Sequence, residues 1–529
     1  MHQYPSGIDD ITPWHYAKSV ADLSGFTGRS FINHCYAEIT FMSRPPATTF
    51  EYLQFHAANT PDRVALIMDD GQYTYGRFAD DALRFTKALA DLGIQRRQIV
   101  SIHHPHFYIE WLLTIACENL GAVSVSDDAR NWKRSHYLYQ HVDVGLTNTP
   151  ADAEPPFQYH CLNDDWVRAT LRMDLAIAQK QPVIVPELDD LVRITRSSGS
   201  TGIPKLIPRQ RRSQEYQIDF RFISGNHSSN SKIFIGYSTF YLNFILTICQ
   251  LAMKIGANII KIDYQKKDVW KYGITNILTL PLTLEHMCDN ISNINPNHSE
   301  LIIEITGGAI PKYLKEKTVA KMGANIIGSF GTNECNGILL MQSPDVGIMR
   351  PGTDLEIRDE KHRQVPDGAI GMIAARNGGM VDGYYKNDEE TRKRFHDGWF
   401  YTGDAGIMVG PRKVKLLGRA DDMVIMGGIK ESPLPLEETL RDGAGITDAA
   451  VVGIKASDGG DLVCVALVLT DDANVEAIRA SIHQLWAVYK VRIIIAVVDD
   501  LARTENGKVS RAKVREFFRE QLEAEVAAS

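Results

Sequence analysis

No Cys-x-x-Cys pair occurs in this chain. Its seven cysteines, Cys35, Cys117, Cys161, Cys249, Cys288, Cys335 and Cys464, are scattered and odd in number. Neither a disulfide framework nor a zinc site is indicated, and most of them are expected to be small buried hydrophobes. Basic charge is not in excess: the formal net charge is −8, which argues against a nucleic-acid partner. Long uncharged apolar runs are missing too. The strongest candidate, Phe244 to Ile260, is interrupted by Gln250 and Lys254. It reads as a core helix followed by a strand and not as a membrane span. The opening residues, Met1 to Asp10, hold no basic segment followed by an apolar run. No secretory signal is therefore expected, and the cytoplasm is the default compartment. Internal repeats and low-complexity tracts are absent as well.

What is present is the composition of a soluble globular protein, 44% apolar and 23% charged over 529 residues. That length exceeds what one hydrophobic core usually serves, so two or three domains are expected. In the first third, short apolar runs alternate with helical periodicity. Val64 to Met68, Ile99 to His103 and Val123 to Val125 read as strands. Tyr75 to Leu92 and Tyr108 to Leu120 read as helices, closed by Gly93 and Gly121. This alternation implies βαβ units and a mainly parallel sheet. The pattern returns around Ile233 to Ile262 and Ile302 to Ile327. After about residue 350 the glycine-rich turns Asp367-Gly368, Gly378-Gly379 and Asp397-Gly398 punctuate short β-like runs, which suggests an antiparallel or barrel-like subdomain. Asp448 to Arg511 reads as a small α/β unit, with strands at Ala450 to Ile454, Val463 to Leu469 and Ile493 to Val498.

The strongest local signal is Ser197-Ser198-Gly199-Ser200-Thr201-Gly202-Ile203-Pro204-Lys205. Its glycines let the backbone turn tightly, and its N–H and O–H groups can point at phosphate oxygens. Lys205 adds a point charge. A P-loop kinase is a poor fit, because that motif needs Gly-Lys-Ser/Thr after its four-residue spacer.

This stretch resembles the phosphate loop of the adenylate-forming superfamily, which includes acyl-CoA synthetases, adenylation domains and luciferases. Further segments match in order. Ile305-Thr306-Gly307-Gly308-Ala309 resembles the glycine turn beside the adenine. Phe330-Gly331-Thr332-Asn333-Glu334 resembles the family's aromatic-Gly-x-Thr-Glu segment. Tyr401-Thr402-Gly403-Asp404 matches the ribose motif. Gly418-Arg419-Ala420-Asp421-Asp422 matches the interdomain hinge, and Arg503-Thr504-Glu505-Asn506-Gly507-Lys508 matches the C-terminal lysine loop. Singly, each of these residues has a plainer role as a turn or surface residue; together they carry the resemblance over residues 50 to 515, nearly the whole chain.

The resemblance implies ATP and Mg²⁺ as cofactors, with coenzyme A or a phosphopantetheine arm as acyl acceptor. It makes Lys508, Glu334 and Arg419 the catalytic residues. Ser197 to Gly202, Lys205, Gly307 to Ala309, Ser329 to Asn333, Asp404 and Arg419 become nucleotide-binding. Asp404 can accept two hydrogen bonds from ribose hydroxyls, and Arg419 offers a planar fork to oxygens. Glu334, with Thr201, is placed at the metal, as suits a hard cation. Thr239, Phe240, Tyr241, Gly307 and Gly331 fall at the acid pocket, and Asp421 at the hinge. The implied division is 1–418, an N-terminal adenylation domain of mainly parallel sheets with helices and a β-barrel-like subdomain; 419–421, a hinge; and 422–529, a small mobile α+β lid.

Several residues depart from the family pattern. Asn333 replaces the usual threonine and is expected to be tolerated. Arg211 stands where many relatives carry histidine. Leu206-Ile207-Pro208-Arg209, after Lys205, resembles the stand-alone aryl-acid-activating subgroup, as does Ile11-Thr12-Pro13-Trp14. That subgroup's His-Asn pair is absent at Thr239-Phe240. No acidic residue lies between Gly236 and Gln250, so a substrate ammonium would find no partner there. Such burial costs several kcal/mol (roughly), and an α-amino acid is disfavoured. Tyr237, Phe240, Tyr241 and Phe244 suggest an apolar, aromatic-lined pocket.

The expectation is thus an ATP-dependent ligase that forms an acyl-adenylate from an aryl or other non-α-amino acid and passes the acyl group to a thiol. Alternatives are an amino-acid-activating enzyme, a non-catalytic nucleotide-binding relative, or a luciferase-like activity. The expected partners are a small carboxylic acid and an external thiol, on coenzyme A or a carrier protein. Neither nucleic acid nor membrane is expected, and the chain is read as a monomer or homodimer.

Overall fold

The computed structural model describes residues 48–151, 154–197, 204–224, 227–236, 243–291, 301–306, 310, 312–427, 429–456, 460–503 and 509–528. The helix Thr49–Asn59 opens on a capping box, in which Thr48 N–H donates to Glu51 (2.7 Å) and Glu51 N–H donates to the Thr48 hydroxyl (3.2 Å). The helix Tyr75–Asp91 is capped by Thr74 and buries Phe78, Ala82, Phe85 and Leu89, the i, i+4, i+7, i+11 stripe of an amphipathic helix. Gly93, at φ +86°, closes the turn that follows. The helix Phe107–Asn119 is apolar nearly all round and is buried on almost every side.

Two sheets make up the N-terminal region. The first has six strands in the order Gln158–Cys161, Val144–Thr147, Ile99–Ile102, Val123–Ser126, Leu191–Arg196 and Leu206–Gln210. All pair in parallel except the last two, which are antiparallel. In the second, Val64–Met68, Asn258–Lys261, Lys232–Ile235, Asn276–Thr279, Ile302–Ile305 and Asn325–Thr332 run parallel. Ile233 and Ile235 face one core while Phe234 faces another, so this sheet is covered on both faces, as parallel sheets require. The C-terminal ends of these strands deliver Gly236, Thr279, Thr306 and Ser329 to one edge, where open α/β sheets bind ligands.

Beyond Thr332 the same sheet continues with antiparallel strands, among them Asn336–Met341, Val346–Met349, Lys413–Arg419, Trp399–Gly410, Gly371–Asn377 and Thr353–Arg358. The turn-rich segment is therefore antiparallel, as its glycines indicated, and hydrogen-bonds into the large sheet. The smaller C-terminal domain has the three-stranded sheet Ile446–Lys455, Asp461–Leu469 and Arg492–Val497. Alternate residues of its first strand face different cores: Ala449 and Val451 pack with Leu440 and Ile482, and Ala450 and Val452 pack with Val514 and Phe518. Arg511 clamps the buried Glu437 with two hydrogen bonds of 2.7 Å.

Phe244 to Ile260 forms the helix Asn243–Ile255 and the strand Asn258–Lys261. No helix among the described residues is long and apolar enough to cross a membrane. Cys117, Cys249, Cys288, Cys335 and Cys464 are buried thiols, and Cys161 is half-buried.

Candidate active site

The strands Leu191–Arg196 and Leu206–Gln210 pair antiparallel and hold the two ends of the Ser/Gly loop together. Ser197 N–H donates to the Lys205 carbonyl (2.9 Å), and Lys205 N–H donates to the Ser197 hydroxyl (2.8 Å). Ser198, Gly199, Ser200, Thr201 and Gly202 lie outside the described residues. The Lys205 ammonium sits 2.5 Å from Glu390 and 5.1 Å over the Tyr384 ring. That hydrogen bond to Lys205 holds the Glu390 carboxyl below the usual carboxylate range.

Tyr384 connects this loop to Glu334, 50 residues away, by donating its hydroxyl to Glu334 Oε1 at 2.9 Å. Burial, and then the Glu334 charge, push the phenol well above its ordinary range, so it stays a neutral donor. Glu334 is 8% exposed. It lies in the turn between Asn325–Thr332 and Asn336–Met341, closed by Cys335 N–H donating to the Thr332 hydroxyl at 3.0 Å. The strand pair slips register between Phe330 and Gly331, and a side chain at Gly331 would run into the Asn336 backbone. Asn333 donates to the Arg196 carbonyl at 2.9 Å and accepts from Arg209 through its own carbonyl. The asparagine in place of threonine thus ties this turn to the strand Leu191–Arg196. Arg209 is almost fully buried, which lowers its pKa to about 10, with Glu334 acting in the opposite direction.

Mg²⁺ bound to nucleotide phosphates needs only one or two protein carboxylates. Glu334 is a donor of that kind and is coupled through Tyr384 to the loop that would hold the phosphates. No group of three or more His, Cys, Asp or Glu side chains able to hold a metal occurs among the described residues.

Asp404 and Arg419 are cross-strand partners. The Arg419 guanidinium donates to the Thr402 carbonyl (2.8 Å) and stands 3.6 Å from the Asp404 carboxylate. Gly403 between them has φ +79°, and a Cβ there would overlap the guanidiniums of Arg394 and Arg419. Glycine lets two cations close over this corner. Asp421 follows in the single 3₁₀ turn Ala420–Asp422, flanked by extended backbone at Arg419 and Met423. Arg515 of the last helix donates to the Asp421 carbonyl (3.0 Å) and to Asp422 (2.7 Å).

Lys508, Gly307, Gly308, Ala309, Thr239, Phe240 and Tyr241 lie outside the described residues. The base of the lysine loop is described: Ser510 N–H donates to the Ala502 carbonyl at 2.7 Å, and Arg503 bridges to Val509. Arg211 is 6% exposed, bonds the Pro186 carbonyl and lies 3.7 Å from Glu215, so its observed partners are structural.

Sequence reasoning missed Tyr384, Glu390 and a charged cluster at the C-terminal edge of the parallel strands. Glu304 in the strand Ile302–Ile305 lies 2.6 Å from His227 Nε2 and 3.4 Å from Arg221. Burial pushes its carboxyl up, but His227 and then Arg221 and Arg350 outweigh that and hold it below the usual range. Arg350 donates to the Ser329 hydroxyl at 2.9 Å and lies 4.7 Å over the Phe220 ring. The available signal was a lone glutamate inside the apolar run Ile302-Ile303-Glu304-Ile305, where a charge needs a partner.

The profile of the AMP-binding enzyme family matches residues 53–385. The long-chain-fatty-acid–CoA ligase of Escherichia coli O6:H1 is 22% identical over 385 residues, 69% of this chain and 68% of that protein. The fold is that of ATP-bound MatB from Rhodopseudomonas palustris (TM-score 0.80, 20% identity, 90% of this chain and 99% of that one). It is also that of Bacillus subtilis o-succinylbenzoate CoA synthetase with its acyl-adenylate intermediate (TM-score 0.76, 20% identity, 88% and 97%).

Proposed function

The chain belongs to the AMP-binding enzyme family and is an adenylate-forming acid–thiol ligase, and from that premise we propose that it activates an aryl or other non-α-amino carboxylic acid. The observation that carries this reading is the link from the Ser197–Lys205 loop through Tyr384 to Glu334, with the Asp404–Arg419 pair as a second polar corner.

The acid's carboxylate attacks the α-phosphorus of ATP and pyrophosphate leaves. Phosphoryl chemistry of this kind is mainly positioning and charge stabilisation, which is why the candidate residues are mainly donors and cations, with Asp404 as an acceptor and Glu334 as a metal-type carboxylate. Ser197 to Gly202 and Lys205 hold the phosphates. Lys205 exchanges Glu390 for a phosphate oxygen when ATP binds. Glu334, with Thr201, would hold Mg²⁺, which neutralises phosphate charge. Gly307 to Ala309 and Ser329 to Asn333 border the base, and Asp404 and Arg419 engage the ribose. Thr239, Phe240, Tyr241, Gly307 and Gly331 bound the acid. Lys508 bridges the acid and the α-phosphate. A thiol, on coenzyme A or a phosphopantetheine arm of a carrier protein, then takes the acyl group and releases AMP.

The reading divides the chain into an adenylation domain, 1–418, a hinge, 419–421, and a lid, 422–529. The separate cores of the C-terminal domain and the isolated turn at Asp421 support that division. Against an α-amino acid stands the absence of any acidic residue from 220 to 262. Glu304, which the fold adds nearby, does not reverse this, because His227 and Arg221 already engage it.

ATP–pyrophosphate exchange with a panel of acids tests the proposal. Exchange is expected with aryl or hydrophobic acids. Robust exchange with one proteinogenic amino acid, and none with aryl or fatty acids, would overturn it.

A further inference from the structure

The cluster around Glu304 has more positive than negative charge. Arg221, on the helix Arg211–Ser224, and Arg350, just after Val346–Met349, both act on the single carboxylate of Glu304. His227 completes the group. Among the described residues, Arg221 lies 3.4 Å from Glu304, and Arg350 interacts with Glu304, with the neutral phenol of Tyr216 and, repulsively, with Arg221. Two guanidiniums, with His227 beside them, therefore share one carboxylate among the described residues, a surplus of at least one enclosed positive charge. Enclosed charge is costly unless it is paired.

The location gives the surplus a use. Glu304 lies two residues before Thr306, and Arg350 holds Ser329, so the cluster borders Thr306 and Ser329, just past the point where the two strands stop pairing in parallel. Arg350 is 6% exposed and lies against Phe220, while the side chains of Arg221 and Glu304 keep 18% and 16% of their surface accessible. The charges are enclosed but not sealed off.

We propose that Arg221 and Arg350 form an anion subsite at the far end of the acid pocket, and that the acid substrate carries a second anionic group, a carboxylate or sulfonate, remote from the one that is activated. This deepens the ligase reading above and rests on it. A guanidinium pair offers planar forks matched to such oxygens. Glu304 fixes the spacing of the two cations without neutralising both.

The test compares matched acids in ATP–pyrophosphate exchange: benzoate against terephthalate, and hexanoate against adipate. Wild type should prefer the diacid of each pair. The ratio of kcat/KM, diacid over monoacid, is internal to each variant, so a partial folding loss cancels. Arg350→Met should lower that ratio roughly 10–150-fold, the loss expected for one hydrogen bond to a charged group. Glu304→Gln, which removes the competing carboxylate, should raise it. A purely structural cluster would move neither ratio. Exchange with the monoacids alone, or ratios unchanged in both variants, would overturn the subsite and leave the ligase reading intact. If ATP binds but none of the four acids supports exchange, the ligase reading is in question. Calorimetric binding of terephthalate, lost in Arg350→Met and strengthened in Glu304→Gln, then still decides the subsite.

Discussion

Replacing Gly403 by alanine separates backbone strain from loss of the nucleotide corner. Gly403 has φ +79°, on the left-handed side. Holding an L-residue there costs about 1–2 kcal/mol. The new methyl would also overlap the guanidinium tips of Arg394 and Arg419. These are ends of flexible side chains, so they move aside and do not unfold the sheet. Arg419 then gives up its 2.8 Å bond to the Thr402 carbonyl and its place 3.6 Å from Asp404. Hydrogen bonds to charged groups contribute roughly 1.5–3 kcal/mol, or about 10–150-fold in affinity. In a region of this size the strain should appear as a fall of about 1–2 °C in the melting temperature. The displaced arginine should appear as a rise of roughly 10–150-fold in the ATP dissociation constant, measured by calorimetry without acid. If Arg419 transmits the effect, Gly403→Ala should cost little further ATP affinity in an Arg419→Gln background. Unchanged ATP affinity in the single variant, or fully additive losses in the double, would refute the assignment of this corner to the nucleotide.

Lys508→Ala should lower pyrophosphate exchange by about 10²–10³, the cost of removing one preorganised donor, yet still convert synthetic acyl-adenylate to thioester; near wild-type exchange would show that another cation bridges the reactants. Asp421→Pro should impair thioester formation more than adenylation, because proline fixes φ in the turn proposed as the hinge for the second half-reaction; equal losses in both half-reactions, assayed separately, would count against a hinge. Glu215 is half-buried among Lys254, Asp219 and Arg211, and desolvation pushes its pKa up to about 7. Between the ordinary carboxylate pKa and about 7 the folded state holds a proton that the unfolded state has lost, so stability falls as pH rises through that window. Glu215→Gln should therefore raise the melting temperature at pH 8, by a free energy on the order of 1–3 kcal/mol, and have little effect near pH 4; an equal shift at both pH values would exclude the titration.

Local periodicity determined most of the individual elements. Val64–Met68 is the strand expected from its apolar run, and the helix expected at Tyr75 to Leu92 forms as Tyr75–Asp91. Gly93 and Gly121 end helices where the chain needs positive φ. These features depend on neighbours within one or two turns, so the sequence alone contains them. The order of the motif residues likewise identified the family before any coordinates. Only the tertiary structure decided which distant charges meet. Nothing near Lys205 in the chain points to Glu390 or Tyr384, and nothing near Glu334 points to Arg209. Arg221 and His227, Glu304, and Arg350 come from three separate segments and become one cluster only when the parallel strands align their ends. The reason is physical. A helix or strand is selected by contacts at fixed short spacings, whereas an enclosed charge is satisfied by whatever partner the fold brings within a few ångströms. Sequence periodicity carries no record of that partner.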